Sequence, residues 1–156
     1  MKEPARQCLT LVRRRAEERS ITVSSRLPDG EVMVEVDARA MKQILLNLLS
    51  NAVKFSRDGG AITLSLRAGH DCVEIKVRDE GIGIPADLLA RIGQPFEQAS
   101  NNPMLAREGT GLGLALVTAL VAEHRGRLAV TSKENVGTEF TVVLPRRQEP
   151  RASRAA

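Results

Sequence analysis

The sequence predicts an α+β fold, a two-layer α/β sandwich whose mixed, mostly antiparallel sheet is covered on one face by helices. Three observations point there. The runs 61–67 and 72–78 alternate apolar and polar residues on either side of AGHD, which reads as a hairpin. A second alternating pair, 127–132 and 137–144, follows towards the end of the chain. Two segments with helical spacing, 38–56 and 111–124, each precede one of these pairs.

In chain order, the first element is a helix over 4–19 that includes CLTLVRRRAEERS. Strands at 21–26 and 32–36 are expected on either side of the turn PDG. The helix over 38–56 is next. Its Met41, Ile44, Leu45, Leu48, Leu49 and Ala52 recur at i, i+3, i+4, i+7, i+8 and i+11, one buried stripe. Gln43, Asn47, Asn51 and Lys54 form a second stripe, roughly 80° wide at about 100° per residue. Two stacked amides and a lysine suit a ligand that carries phosphates and a hard cation. An amide oxygen can enter an oxygen-rich magnesium shell, and Lys54 can meet a phosphate as a point charge. Taken alone, this helix fits a polar face without any ligand equally well.

The hairpin strand 72–78 places Val73, Ile75 and Val77 on one face, opposite Ile62, Leu64 and Leu66 of its partner. Asp79 continues the phase of the valines and should point inward, where a carboxylate needs a donor. Gly81 and Gly83 then permit a turn or a close approach, and Pro85 stiffens the exit. An acceptor beside a steric gap suits the exocyclic amine of adenine; a buried turn-forming aspartate is the plainer alternative. A short helix near 86–91 leads to a polar segment, and Gly109, Gly111 and Gly113 open the apolar helix LALVTALVA. Free amides and the positive dipole end make such a helix start a phosphate seat. A hinge into a core helix is compatible with that reading. No lysine follows these glycines, so this is not the phosphate loop ending in Gly-Lys-Ser/Thr. No strand leads directly into it either, so the dinucleotide fingerprint is excluded.

NLLSNAVKF at 47–55, DEGIGIP at 79–85 and GTGLGL at 109–114, in this order, resemble the catalytic, ATP-binding domain of bacterial sensor histidine kinases. That superfamily is shared with gyrase, the heat-shock chaperone ATPases and the mismatch-repair ATPases, and its fold is the Bergerat-type ATP-binding sandwich. The N box matches at Asn47 to Phe55, the first glycine box at Asp79 to Gly83, the F box at Pro95-Phe96 and the second glycine box at Gly109 to Gly113. GTEF at 137–140 resembles the family's last strand, and IGQPFEQ at 92–98 is similar to alphaproteobacterial cell-cycle kinases.

The resemblance implies roles. Asn51 would be the magnesium ligand, with Asn47 near the phosphates and Lys54 contacting them. Phe55 would line the base or ribose. Asp79 would accept the adenine amine, helped through water by Thr138. Gly81, Gly83, Ile84, Phe96, Gly109, Thr110, Gly111, Leu112 and Gly113 would complete the nucleotide site. Residues 93–108 would form the ATP lid, where Arg107 is the candidate for a γ-phosphate contact. The implied catalytic set is therefore Asn47, Lys54 and Arg107, with ATP and magnesium as cofactors.

One departure bears on function. Histidine kinases phosphorylate a histidine on a separate dimerising helical hairpin, usually followed by an acidic residue. Here His70 lies in the turn AGHD, His124 ends a helix, and the helix over 4–19 contains none. The chain therefore reads as half of an enzyme, with 1–20 as first helix or connector remnant, 21–145 as catalytic domain and 146–156 as a disordered basic tail. Its partner would be a histidine-bearing dimerisation and phosphotransfer domain, with a response regulator downstream. The domain itself is expected to be monomeric and cytoplasmic, whether or not a full-length protein is membrane-anchored.

Composition agrees with one compact domain. At 156 residues and 42% hydrophobic the chain can bury a single core, and with Phe55, Phe96 and Phe140 as its only aromatics that core must be aliphatic. The +4 net charge belongs to the ends. Residues 1–20 hold six basic and three acidic groups and 146–156 hold four and one, which leaves thirteen and fifteen, a net of −2, for 21–145. Nucleic-acid binding is not expected from such a surface. Cys8 and Cys72 are far apart and lack metal spacing, so they read as reduced thiols. No apolar run reaches the ~18 residues of a membrane span, and no signal peptide is evident.

Two alternatives share these boxes. A gyrase-type ATPase places a glutamate where Asn47 stands, to activate water, and an amide cannot act as that base. A non-catalytic nucleotide-binding scaffold would be expected to lose residues such as Asn51 and Asp79, yet both are present. Serine-kinase anti-sigma factors carry the same pocket.

Overall fold

A computed structural model describes residues 1–89, 92 and 112–147. The described elements are α1 (Lys2–Glu17), β1 (Thr22–Arg26), α2 (Ala38–Phe55), β2 (Ala61–Ala68), β3 (Cys72–Asp79), α3 (Ala86–Leu89), α4 (Gly113–Glu123), β4 (Arg127–Lys133) and β5 (Gly137–Pro145). They build a five-stranded sheet in the order β1-β2-β3-β5-β4. The three pairs from β2 to β4 are antiparallel, and β1 joins β2 in parallel with Thr22 opposite Ala61. Parallel neighbours need a long crossover, and α2 supplies it.

That crossover explains one correction. The strand expected at 32–36 does not form, because β1 takes β2 as its partner rather than the segment after PDG. Residues 31–37 are part of the connection into α2, tied by Glu35 N–H donating to Arg146 O at 2.9 Å. The apolar alternation that suggested a strand has a use nonetheless: Val32 is buried at the core's edge. Arg146, assigned from the sequence to the tail, is instead held in place. Its guanidinium donates to Met33 O at 3.2 Å and Gly69 O at 3.3 Å. The first helix starts two residues earlier than expected, with Pro4 inside its first turn, where a missing N–H costs nothing.

Strand alternation sets the two layers. Ile62, Leu64 and Leu66 of β2, Val73, Ile75 and Val77 of β3, and Phe140, Val142 and Leu144 of β5 are buried on one face. The opposite face carries Glu74, Lys76 and Glu139, with Lys76 Nζ 3.3 Å from Glu139. α2 lies on the apolar face with its whole stripe buried, Met41 to Val53. Ala5, Cys8, Leu9, Val12 and Ala16 of α1, and Val117 and Val121 of α4, join the same core. Neither cysteine forms a disulfide. The core thus anchors α2 along one side and leaves its amide stripe partly exposed, while the end of α2 meets the segment that follows β3 through the Ser56–Gly81 bridge.

Candidate functional site

Both ends of α2 are held by groups from elsewhere in the chain. At its start Asp37 accepts from Arg39 N–H at 2.6 Å and Ala40 N–H at 3.2 Å, a side-chain cap on two otherwise unpaired amides. His124 packs here too: its Nδ1 donates to Leu120 O at 2.8 Å and its Nε2 accepts from Asp37 N–H at 3.3 Å. At the far end Arg19 collects the last carbonyls. Its guanidinium donates to Val53 O at 2.6 Å, Lys54 O at 3.2 Å and Ser56 O at 2.8 Å, and pairs with Asp58 at 2.8 Å. A cation at a helix C-terminus also opposes the dipole. Nothing in the sequence pattern singled Arg19 out.

Between these clamps run the predicted stripe residues. Asn47 Nδ2 donates to Gln43 O at 2.8 Å, one turn back, which turns its Oδ1 towards α4. A Cβ built on Gly113, the first residue of α4, would lie 2.9 Å from that Oδ1. Glycine therefore lets the start of α4 approach the amide. Leu112, just before it, is exposed. Asn51 follows Asn47 by one turn, half-buried. Lys54 Nζ sits 4.8 Å above the Phe55 ring, a cation–π contact of about 0.5–1 kcal/mol that a phosphate can outcompete.

Asp79 is the chemical centre. It is 3% exposed, as its strand phase requires. Both hydrogen bonds it accepts fall on Oδ1, from Gly81 N–H at 2.9 Å and Thr138 N–H at 3.3 Å. Burial pushes its pKa up to about 6, and the two amides only partly oppose that shift. A carboxyl so poised and so buried is costly to the fold, which is a mark of a binding group. Register places Thr138 directly opposite it.

Close backbone contacts leave no freedom around this carboxylate. A Cβ on Gly81 would stand 2.2 Å from Phe55 O and 2.7 Å from Asp79 Oδ1. Gly83 has φ +69° and Gly137 φ +140°, and a Cβ on either would meet backbone at 2.1 Å. The chain after Gly81 is tied back to α2 by Ile82 N–H donating to Phe55 O at 3.1 Å. Ile84 N–H donates to Ser132 Oγ at 2.8 Å, and Ser132 in turn lies 2.9 Å from Thr138 Oγ1. Ser132 was not singled out from the sequence. A signal existed: it is the polar residue in phase with Leu128 and Val130 on an apolar face.

The structure thus brings Asn47, Asn51, Lys54, Phe55, Asp79, Gly81, Gly83, Ile84, Gly113 and Thr138 to one side of α2 and the adjoining strand ends. Phe96, Arg107, Gly109, Thr110, Gly111 and the expected lid at 93–108 lie outside the described residues. His70, in the β2–β3 turn, is exposed beside Asp71, its Nδ1 2.6 Å from the carboxylate. Among the described residues no group of three or more His, Cys, Asp or Glu could hold a metal ion. That donor set fits magnesium only as it travels with phosphates, keeping waters and taking one or two protein oxygens. Asn51 offers one such oxygen.

Comparison with known proteins gives a consistent picture. The family described as histidine kinase-, DNA gyrase B-, and HSP90-like ATPase matches residues 36–148. Histidine protein kinase DivJ of Caulobacter vibrioides is 40% identical over 144 residues, 92% of this chain and 24% of that protein. Sensor histidine kinase RcsC of Escherichia coli is 42% identical over 118 residues, 76% of this chain and 12% of that protein. Among solved structures, the catalytic domain of histidine kinase ThkA superposes with a TM-score of 0.81 at 27% identity, covering 93% of both chains. Full-length ShkA in complex with AMPPNP gives 0.79 at 32% identity, over 92% of this chain and 29% of that one. The chain spans about a quarter or less of the length of such curated relatives.

Proposed function

The chain belongs to the family of histidine kinase-, DNA gyrase B- and HSP90-like ATPases, and on that premise we propose that it is the ATP-binding catalytic domain of a two-component sensor histidine kinase. The observation that carries this reading is the Asp79 site: a buried carboxylate whose Oδ1 takes two backbone amides, among glycines that let backbone pack closely around it. A purine amine would complete the carboxylate's hydrogen bonding and relieve the cost of its burial. Similarity to DivJ and to ShkA, the latter solved with AMPPNP, supports the same assignment.

In this reading Asp79 accepts the adenine amine with Thr138 beside it, and Phe55 lines the base or ribose. Lys54 leaves the Phe55 face to meet a phosphate, and Asn47 and the start of α4 hold the phosphate side. Arg107 is the proposed γ-phosphate contact. A magnesium ion held by Asn51 would neutralise phosphate charge. We assign 21–145 to the catalytic domain, with its lid at 93–108, and 1–20 to a helical connector whose apolar stripe the core has taken up.

Neither of the chain's two histidines lies at this pocket. His124 is engaged at the start of α2, the opposite end from Lys54, and His70 lies in the exposed β2–β3 turn. Asn47, with an amide in place of a carboxylate, cannot activate water as a general base. The phosphoryl acceptor is therefore a histidine on a partner dimerisation and phosphotransfer domain. Its ring nitrogen forms the new P–N bond as the bond to the β–γ bridging oxygen breaks and ADP leaves. A response regulator follows downstream, in the cytoplasm. Among the described residues no helix is long and apolar enough to cross a membrane.

The test is direct: mix the chain with γ-labelled ATP and candidate histidine-hairpin domains. The expected product is an acid-labile, base-stable label on the partner alone. Brisk ATP hydrolysis without any partner would move the assignment to an ATPase.

A further inference from the structure

Ser132 Oγ sits where three contacts meet. It lies 2.8 Å from Ile84 N, 3.0 Å from Gly137 O and 2.9 Å from Thr138 Oγ1. A serine hydroxyl has one proton to give and two lone pairs to receive with. Ile84 N–H can only donate and Gly137 O can only accept, so the Ser132 proton goes to Gly137 O and one lone pair receives Ile84. The remaining lone pair faces Thr138, whose hydroxyl proton must then point at Ser132. The reverse assignment, with the Ser132 proton on Thr138, would set the oxygens of Ser132 and Gly137 lone pair to lone pair at 3.0 Å. With its proton committed, Thr138 Oγ1 has only lone pairs left to offer. It lies on the strand position directly opposite Asp79, whose carboxylate also only accepts once ionised.

We propose that Ser132 is a positioning residue that determines base specificity. It fixes the Thr138 proton so that the pocket presents two acceptors, Thr138 Oγ1 and the Asp79 carboxylate, and thereby selects a purine with an amino group at C6 over one with a carbonyl there. The inference rests on the nucleotide-binding reading of the Asp79 site. It goes further in assigning the choice of base to a serine on the edge strand β4 that need not touch the base.

The experiment is calorimetric titration of the whole chain with ADP and with IDP at pH 8, where Asp79 is ionised. Parent, Ser132→Ala, Ser132→Thr, Thr138→Val and the Ser132→Ala/Thr138→Val pair are compared, each checked by circular dichroism. The parent should prefer ADP. In Ser132→Ala the Thr138 hydroxyl is free to turn and donate to a carbonyl, so the ADP:IDP preference should shrink by about tenfold or more. Ser132→Thr keeps the hydroxyl and should keep the preference. In the Thr138→Val background, Ser132→Ala should change the ratio no further. A Ser132→Ala chain that loses affinity for both nucleotides equally overturns the inference, since a brace for Ile84 alone would act that way. A parent that binds both nucleotides alike overturns it while leaving the nucleotide-binding reading intact. A parent that binds neither overturns both. Should Ser132→Ala not fold, an unchanged ratio in Thr138→Val overturns the inference by itself.

Discussion

Asp79→Asn should make this protein more stable and a worse nucleotide binder at the same time. The Asp79 carboxyl has a pKa of about 6 in the fold, against an ordinary value near 3.9 when unfolded. Its proton is held more tightly by the native state, so folding takes up a proton between those two values. Stability from this group is therefore lost as pH rises from about 4 to about 6, and stays lost above that. Two units at 1.36 kcal/mol each give a penalty of about 3 kcal/mol at pH 8 and about 1 kcal/mol at pH 4.5. Asparagine has nearly the same shape, keeps an oxygen for Gly81 N–H and Thr138 N–H, and never ionises. The stability gap between variant and parent should thus widen by about 2 kcal/mol from pH 4.5 to pH 8, a relative Tm shift of about 4–8 °C for a chain of this size. Any pH-independent difference in hydrogen-bond strength cancels in that comparison. Nucleotide affinity should move the other way. Losing a charged acceptor for the base amine costs about 1.5–3 kcal/mol, or about 10- to 150-fold in Kd for ADP at pH 8. Urea or thermal melts at the two pH values, with calorimetry at pH 8, read both effects. A gap that fails to widen with pH refutes the burial argument, and unchanged ADP affinity refutes the assignment of Asp79 to the base.

Other outcomes follow from the same geometry. Asn51→Ala should abolish the magnesium-dependent part of nucleotide affinity, seen by titrating ADP with and without the ion; a parent-like magnesium response would place the ligand elsewhere. Gly81→Ala drives a Cβ to 2.2 Å from Phe55 O and 2.7 Å from Asp79 Oδ1, so it should cost about 2 kcal/mol or more in urea unfolding and most ADP binding. Arg19→Ala strips the bonds to Val53 O, Lys54 O and Ser56 O and should cost about 1–3 kcal/mol, with faster amide exchange at the end of α2 than at its start. With labelled ATP alone, the chain should acquire no acid-labile phosphate on His70 or His124.

Much of this architecture is visible in the residues because pattern and packing agree. The stripe Met41 to Ala52 and the alternation of β2, β3 and β5 name their buried faces without ambiguity, and Asp79 follows from the phase of Val73, Ile75 and Val77. What stayed hidden depends on contacts between distant parts of the chain. The alternation at 32–36 is real, but whether it forms a strand depends on β1 choosing β2, about forty residues away, as its partner. Arg19 follows a helix end and looks like any exposed basic residue; its role arises only when the end of α2 folds against it. Ser132 could have been found as a polar break in the apolar phase of β4. Its three partners come from the loop after β3 and from the first two residues of β5, and no local spacing encodes that meeting.

Several departures from ordinary folding rules gather around Asp79, although Ser20 and Arg125 also take positive φ away from it. Over most of the sheet and α2 local preference and global fold agree: apolar stripes are buried, the sheet's outer face is polar, and the ends of α2 are capped. Around Asp79 the opposite holds. A buried carboxyl sits with its pKa raised, two backbone segments adopt positive φ at Gly83 and Gly137, and three glycines exclude any side chain from contacts of 2.1–2.2 Å. Asn47 and Asn51 interrupt a helix where better helix formers were available. None of these features helps the chain fold, and several oppose it. They make sense together only if something outside the chain supplies the missing interactions. A ligand with an amine donor at one end and phosphates at the other matches their chemistry in order, from Asp79 past Phe55 to Lys54 and Asn47. Local conflict with folding rules is therefore itself an argument for the proposed nucleotide, independent of any likeness to known kinases.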